Sequence, residues 1–118
     1  MKAKYSTIVL ALLISMHSNA YSQVDCAGTV DNLSLQMDTS GTVTLSLSGG
    51  PAYTYLCNVD GVRNNVSPTV CRAMYATLAT AKATGKKVSI RFYDYASCSA
   101  IPAWTNSGTL GWTVLLFD

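Results

Sequence analysis

Apolar residues alternate with polar ones over residues 33–37 and again over residues 43–47. This period of two predicts two strands, each with one face toward a core. The turn residues at 39–41 lie between them, so the two strands are expected to form a hairpin. Val30 falls on the opposite parity to Leu33, which predicts a bulge or bend between these two residues.

A third strand, rich in aromatic residues, is predicted over residues 52–58, after a Ser-Gly-Gly-Pro break. The period then changes to that of a helix. Ser67 is a favourable N-cap, Pro68 a favourable first helical residue, and Gly85 a favourable C-terminal stop. One side of this helix carries its apolar residues, which are Val70, Met74, Leu78 and Ala81.

Alternation returns over residues 88–92 and predicts a fourth strand, which a loop over residues 94–108 follows. The almost wholly apolar run 110–117 predicts a fifth strand that is covered on both faces. The resulting order, β-β-β-α-β-β, is the order of the OB-fold, a small, partly open five-stranded barrel. The chain is therefore expected to be mainly β, an OB-like barrel with one helix.

The beginning of the chain has the pattern of a secretory signal of bacterial type. Lys2 and Lys4 form a basic region, and residues 8–14 form an apolar stretch that is too short to span a membrane. Small residues then predict cleavage before Tyr21. Residues 1–20 are therefore interpreted as a signal peptide, and a secreted or periplasmic protein is expected.

Removal of this signal leaves one domain, residues 21–118, and removes the only histidine, His17. The eight basic and six acidic residues of the chain balance once Lys2 and Lys4 are lost. A neutral surface favours neither nucleic acid nor an anionic membrane as a partner, because both require a basic patch. No membrane span is expected after cleavage.

Four cysteines remain in the predicted mature domain, and in an oxidising compartment they indicate two disulfides with three possible connectivities. In the OB order the first strand runs antiparallel to the fourth. Cys26, before the first strand, is then expected near Cys98, after the fourth strand. Cys57 ends the third strand and Cys71 lies in the first helical turn, so these two are expected to form the second pair.

Composition argues against catalysis. The mature domain contains neither histidine nor glutamate, so Ser-His-Asp and Cys-His sites are impossible and a pair of carboxylates would need two of six scattered aspartates. No C-x-x-C pair is present to begin a zinc site. We expect no enzyme activity, no metal and no cofactor.

Several short motifs resemble those of a known group. Tyr55-Leu56-Cys57, the later Cys71, and the run Thr-Gly-Lys-Lys-Val-Ser-Ile at residues 84–90 resemble the B subunits of subtilase cytotoxin and related bacterial toxins, over about residues 27–93. Residues 71–104 are also similar to small secreted proteins of marine gammaproteobacteria that have no assigned function.

The toxin resemblance implies an OB-fold that assembles as a pentamer and binds cell-surface glycans. Those subunits bind glycan through a serine just before the glycine that opens strand one, and through a tyrosine near the end of strand four. Here the glycine is Gly28, but the serine position is Ala27 and the tyrosine position is Phe92, with Tyr93 beside it. The resemblance therefore implies the fold and not the sialic-acid-type site.

Three aromatic residues are candidates for ligand binding, because aromatic faces stack on sugars and anchor protein partners. They lie at the end of the fourth predicted strand and in the loop after it: Tyr93, Tyr95 and Trp104. The alternative interpretation is that they cover the end of the barrel.

One helix face is a candidate oligomer surface. It lies opposite the apolar side and consists of Arg72, Ala76, Ala79 and Ala83. Small side chains let a second backbone approach, as in a ring whose helices line an axis. The alternative is the ordinary surface of a monomer.

These patterns together predict a non-enzymatic binding module, an oligomeric glycan- or protein-binding subunit like the toxin B subunits. The alternative is a monomeric secreted inhibitor or an envelope interaction protein.

Overall fold

The computed structural model describes residues 23–37, 41–111 and 114–118, so the predicted signal peptide lies outside the described residues. The described chain is mainly β, in the predicted order, with a single α-helix and a short 3₁₀ turn at Cys98–Ala100. The elements are β1 Val24–Gln36, β2 Thr42–Leu47, β3 Thr54–Asn58, α1 Pro68–Thr84, β4 Lys87–Phe92 and β5 Leu115–Phe117.

The five strands form one antiparallel sheet in the order β3-β2-β1-β4-β5. β1 is long enough to serve two neighbours, because its first half pairs with β4 and its second half with β2. The pairing register shifts between Val30 and Asn32, which confirms the predicted bend. Met37, expected on the core face, instead lies beyond the strand and is 83% exposed.

Helix α1 begins and ends as its sequence predicts. The Ser67 hydroxyl accepts a hydrogen bond from the Val70 amide at 3.3 Å, and Gly85 adopts the left-handed conformation that closes the helix. Its buried side chains include Leu78 and Ala81. Val70 was predicted to lie on this face but is 51% exposed, although the neighbouring Cys71 in the same turn is fully buried. No helix of the described residues is long and apolar enough to cross a membrane.

Both disulfides join the predicted partners. Cys26 is bonded to Cys98 across 72 residues, and Cys57 to Cys71 across 14 residues. In the chain-entropy model the longer loop contributes somewhat more than 4 kcal/mol and the shorter about 3 kcal/mol. The disulfides therefore fasten the loop after β4 and the first turn of α1 to the sheet.

The last part of the chain differs from the prediction. Of the described residues within the predicted strand 110–117, only Leu115–Phe117 form β5, and these three side chains are 40–57% exposed instead of covered on both faces. As an edge strand it has only β4 as a neighbour in the sheet. The described sheet is open, with β3 and β5 as its two edges.

Residues 105–111 are irregular but bond to two strands. The Tyr55 amide in β3 donates to the Thr105 carbonyl at 2.9 Å, in a parallel bridge. Further along, the Gly111 amide donates to the Arg91 carbonyl in β4 at 2.7 Å, next to an antiparallel bridge at Leu110. This segment, of which residues 105–108 were predicted as loop and residues 110–111 as the start of the fifth strand, therefore connects one edge strand of the sheet to β4.

Candidate functional site

Two loops meet and form an open cleft of about 560 Å³ between them. The first is the connection between β2 and β3, and the second is the connection that follows β4. Small side chains line the cleft, from Gly49, Gly50, Ala52 and residues 98–103. We call it the loop cleft.

Two exposed aromatic residues stack beside the loop cleft. The rings of Tyr53 and Trp104 are 4.8 Å apart between centroids and only 9° from parallel. Tyr53 is 42% exposed and Trp104 is 58% exposed. Each directly follows a residue that lines the cleft, Ala52 and Ala103 respectively. We call this pair the aromatic platform.

Both residues of the aromatic platform have a strained backbone conformation. Tyr53 has φ 48° and Trp104 has φ 60°, in the left-handed region that bulky residues rarely occupy. Each such conformation costs on the order of 1–2 kcal/mol. Strain of this size persists only where the surrounding structure imposes it, and it concentrates at functional sites.

Hydrogen bonds on both sides of the platform impose this conformation. The Tyr53 amide donates to the Ser46 hydroxyl at 2.7 Å, and the Trp104 amide donates to the Tyr53 carbonyl at 2.8 Å. The Tyr55 amide then donates to Thr105, the residue after Trp104. Three bonds at about 1 kcal/mol each are of the same order as the strain of the two residues together.

Covalent and steric constraints also fix the cleft. The Cys26–Cys98 disulfide ties the second loop to β1. Gly50 faces the Cys98 carbonyl so closely that an added Cβ would lie 3.2 Å from its oxygen, and its φ is 94°. The two loops therefore approach each other at a point where glycine is required.

The three predicted aromatic candidates have different surroundings. Trp104 is exposed in the aromatic platform. Tyr93 is half-buried and lines a separate groove of about 570 Å³ with Met74 and Leu110. Tyr95 is half-buried and packs against the core. Only Trp104 therefore presents a broad open face.

Tyr53 was not among the predicted site residues. The Gly-Gly-Pro run just before it indicates a turn, but the period of the following strand suggested an ordinary strand residue. Its left-handed backbone and its ring contact with Trp104 depend on a pairing 51 positions away along the chain. Only the adjacency of a turn and an aromatic residue could have suggested it.

The two positions that correspond to the glycan-binding residues of the toxin subunits differ in their exposure to solvent. Phe92 is fully buried in the core, whereas Ala27 is exposed on β1 opposite Ser89. The buried ring of Phe92 is not available to a ligand. This region therefore offers no counterpart of the serine and tyrosine anchors.

The small-residue face of α1 is mostly open. Ala76 and Ala83 are exposed and Ala79 is half-buried. The Arg72 guanidinium at its N-terminal end donates to the Val59 carbonyl at 2.8 Å. The Arg72 side chain is therefore directed toward the loop after β3.

One bidentate ion pair joins the beginning of β1 to the end of β4. Arg91 donates to the two carboxylate oxygens of Asp25 at 2.7 and 2.9 Å. These hydrogen bonds lower the pKa of Asp25 and raise the pKa of Arg91. Both side chains remain accessible to water, so the pair contributes modestly to stability.

Comparisons with known proteins returned no similarity: no protein-family model matches the chain, and no curated protein or solved structure matches it.

Proposed function

We propose that the protein is a non-enzymatic binding module of the periplasm or the extracellular space, with the aromatic platform as its ligand-binding surface. The observation that carries this proposal is the exposed, nearly coplanar pair of Tyr53 and Trp104. Burying a large apolar side chain gains about 1.5–3 kcal/mol. Because Trp104 is largely exposed, it loses much of this stabilisation, and its backbone is also strained. Both features favour a role in binding over a role in packing.

The proposed fold is an OB-like barrel. Its support is the strand order, the bent β1 shared by two neighbours, and the segment 105–111, which bonds to β3 in parallel and to β4 antiparallel. This segment would stand in for the closing part of a fifth strand. The loop cleft would then include the connection between the fourth and fifth strands, which contributes to ligand binding in OB-folds.

The proposed location is supported by covalent structure. Two disulfides are typical of proteins outside the reducing cytoplasm. The signal-like pattern of residues 1–20 points the same way.

The proposed assembly is a ring of the toxin-B type, in which α1 meets a neighbouring copy through its small-residue face. The exposed Ala76 and Ala83 leave room for a close approach. The alternative, a monomeric inhibitor or envelope interaction protein, would use the aromatic platform against a protein surface.

The experiment is an array measurement with the labelled domain of residues 21–118, on immobilised glycans and on immobilised peptides. Trp104→Asn removes the ring, and asparagine tolerates a left-handed backbone. Val62→Ser is the matched control, because Val62 is 73% exposed in a different loop. We expect signals that Trp104→Asn abolishes and Val62→Ser preserves; array signals that both variants retain would contradict the proposal.

A further inference from the structure

We infer that the aromatic platform and the loop cleft together bind uncharged pyranose sugars, with a sugar ring stacked on the outer face of Trp104. This inference rests on the proposed function, because it names the ligand class of the same site.

The stacking geometry restricts how a ligand can use the platform. With centroids 4.8 Å apart and planes 9° from parallel, Tyr53 and Trp104 cover each other's inner faces. No slot remains between the rings for a proline or an aromatic side chain to enter. Each ring keeps only its outer face free, and Trp104 is the more exposed of the two residues. A flat apolar face of this kind matches the C–H face of a pyranose.

The loop cleft supplies polar groups without charge. Among the described residues that line it, none carries a charged side chain. Ser99 lines the cleft, and its hydroxyl also hydrogen-bonds to the Ser97 hydroxyl; Gly49 and Gly50 line the cleft from the other loop. Hydroxyls and peptide groups suit the hydroxyls of a sugar, whereas a phosphate, sulfate or carboxylate would lose its water without gaining a cation.

The size of the cleft fits a small ligand. Its volume of about 560 Å³ lies within the range of about 300–1,000 Å³ that is usual for small-molecule sites. The open space next to Gly49, where no atom would lie within 4 Å of an added Cβ, leaves a ligand access to the loop backbone.

The site is organised before a ligand arrives. The Cys26–Cys98 disulfide, the Trp104–Tyr53 backbone hydrogen bond and the crowded Gly50 hold both loops in place. A ligand therefore pays little ordering cost in the protein, which matters because single sugars offer few contacts.

The experiment is saturation-transfer NMR on the domain of residues 21–118 with maltotriose, cellotriose and chitotriose as uncharged probes and sialyllactose as an anionic probe. We expect at least one uncharged probe to receive saturation on its ring protons and to bind at least tenfold more tightly than sialyllactose. Trp104→Asn should lower the affinity at least tenfold, Trp104→Phe should retain part of it, and Val62→Ser should leave it unchanged. Thermal melting of each variant establishes that the fold is intact.

The outcomes separate this inference from the proposed function. If no uncharged probe binds but peptide signals on the array still depend on Trp104, the sugar inference is wrong and the binding module stands. If sialyllactose binds best, the uncharged character of the ligand is wrong. If no ligand of either class depends on Trp104, both proposals fail.

Discussion

At the residue scale, the side-chain amide of Asn64 bonds both to β3 and to the irregular segment after Trp104. The side-chain nitrogen of Asn64 donates to the carbonyls of Tyr55 and Leu56 at 2.9 and 3.0 Å, and to the hydroxyl of Ser107 at 3.1 Å. Ser107 is fully buried. Asn64 itself has φ 53°, in a tight turn that asparagine tolerates.

Asn64→Asp is expected to destabilise the protein by about 1–3 kcal/mol at neutral pH. The shape and the turn are preserved, but a carboxylate accepts hydrogen bonds and would face two carbonyl oxygens. Denaturant unfolding at pH 7 measures the loss.

The pH dependence of Asn64→Asp provides a second readout. The carbonyl neighbours should raise the pKa of the introduced carboxyl in the folded state, so the stability deficit should shrink as pH falls toward about 4, where the carboxyl regains a proton. Asn65→Asp, at the next and exposed position of the same turn, is the matched control and should cost little at any pH. Equal losses in both variants would show that the Asn64 hydrogen bonds contribute nothing specific.

The Asp25–Arg91 pair predicts a different pH dependence. Because Arg91 lowers the folded-state pKa of Asp25, the pair stabilises the protein above the ordinary carboxyl value of 3.8, and this contribution is lost as pH falls through the lowered value. Asp25→Asn should therefore lower the melting temperature at pH 7 and have a diminishing effect below about pH 4.

A double-mutant cycle separates this pair from other effects of the substitution. In an Arg91→Ala background, Asp25→Asn should no longer change the pH dependence of melting. A persistent change in that background would assign the effect to a group other than Arg91.

At the scale of elements, β1 crosses the end of β2 at unusually close range. A Cβ added at Gly28 would collide with the Ser48 carbonyl oxygen, a backbone atom, and the Ser48 amide already donates to the Thr29 carbonyl at 2.9 Å. The clash would be with backbone, and the hydrogen bond holds that backbone in place. Movement of a side chain therefore cannot relieve it.

Gly28→Ala is expected to destabilise the protein by about 1–3 kcal/mol, as overpacking does in a close-packed interior. Gly61→Ala is the matched control, because no atom lies within 4 Å of its added Cβ. That variant should be neutral or slightly stabilising, since alanine restricts the unfolded chain. Thermal melting of the two variants compares them, and equal melting temperatures would contradict the close approach.

The bend in β1 and the ends of α1 were predictable because each depends on neighbouring residues. The parity change after Val30 marks the bend, and Ser67 and Gly85 mark the helix ends. The closing region was not predictable in the same way. Residues 105–108 are polar and read as a loop, yet their backbone bonds to Tyr55, a partner about 50 positions away. The apolar run before Phe117 suggested burial, but a strand's burial depends on which elements cover it.

The candidate site shows the same division. The exposure of Trp104 agrees with its position in a predicted loop. The conformation of Tyr53 could not be predicted, because the left-handed backbone of a tyrosine results from tertiary contacts and not from a local preference.

At the scale of the whole molecule, the two proposed surfaces belong to different parts of the fold. The aromatic platform is formed by the loops before β3 and after β4, whereas the small-residue face lies on α1. A ring formed through α1 would leave each platform to act separately. Several weak sites in one assembly would then bind a surface with many copies of a sugar much more tightly than one site does.

The ring proposal predicts that the domain of residues 21–118 is multimeric at micromolar concentration by light scattering. Ala76→Gln and Ala83→Gln should convert it to monomers without unfolding it, because the added volume obstructs a neighbouring helix while each side chain is exposed within one copy. Val70→Gln, at an exposed position away from that face, is the control and should stay multimeric.

Leu78→Ala should instead cost about 2–5 kcal/mol in any assembly state, because Leu78 is fully buried in the core. A monomeric wild-type domain would overturn the ring and with it the toxin-like assembly, and would leave the monomeric binding protein as the function to test through Trp104.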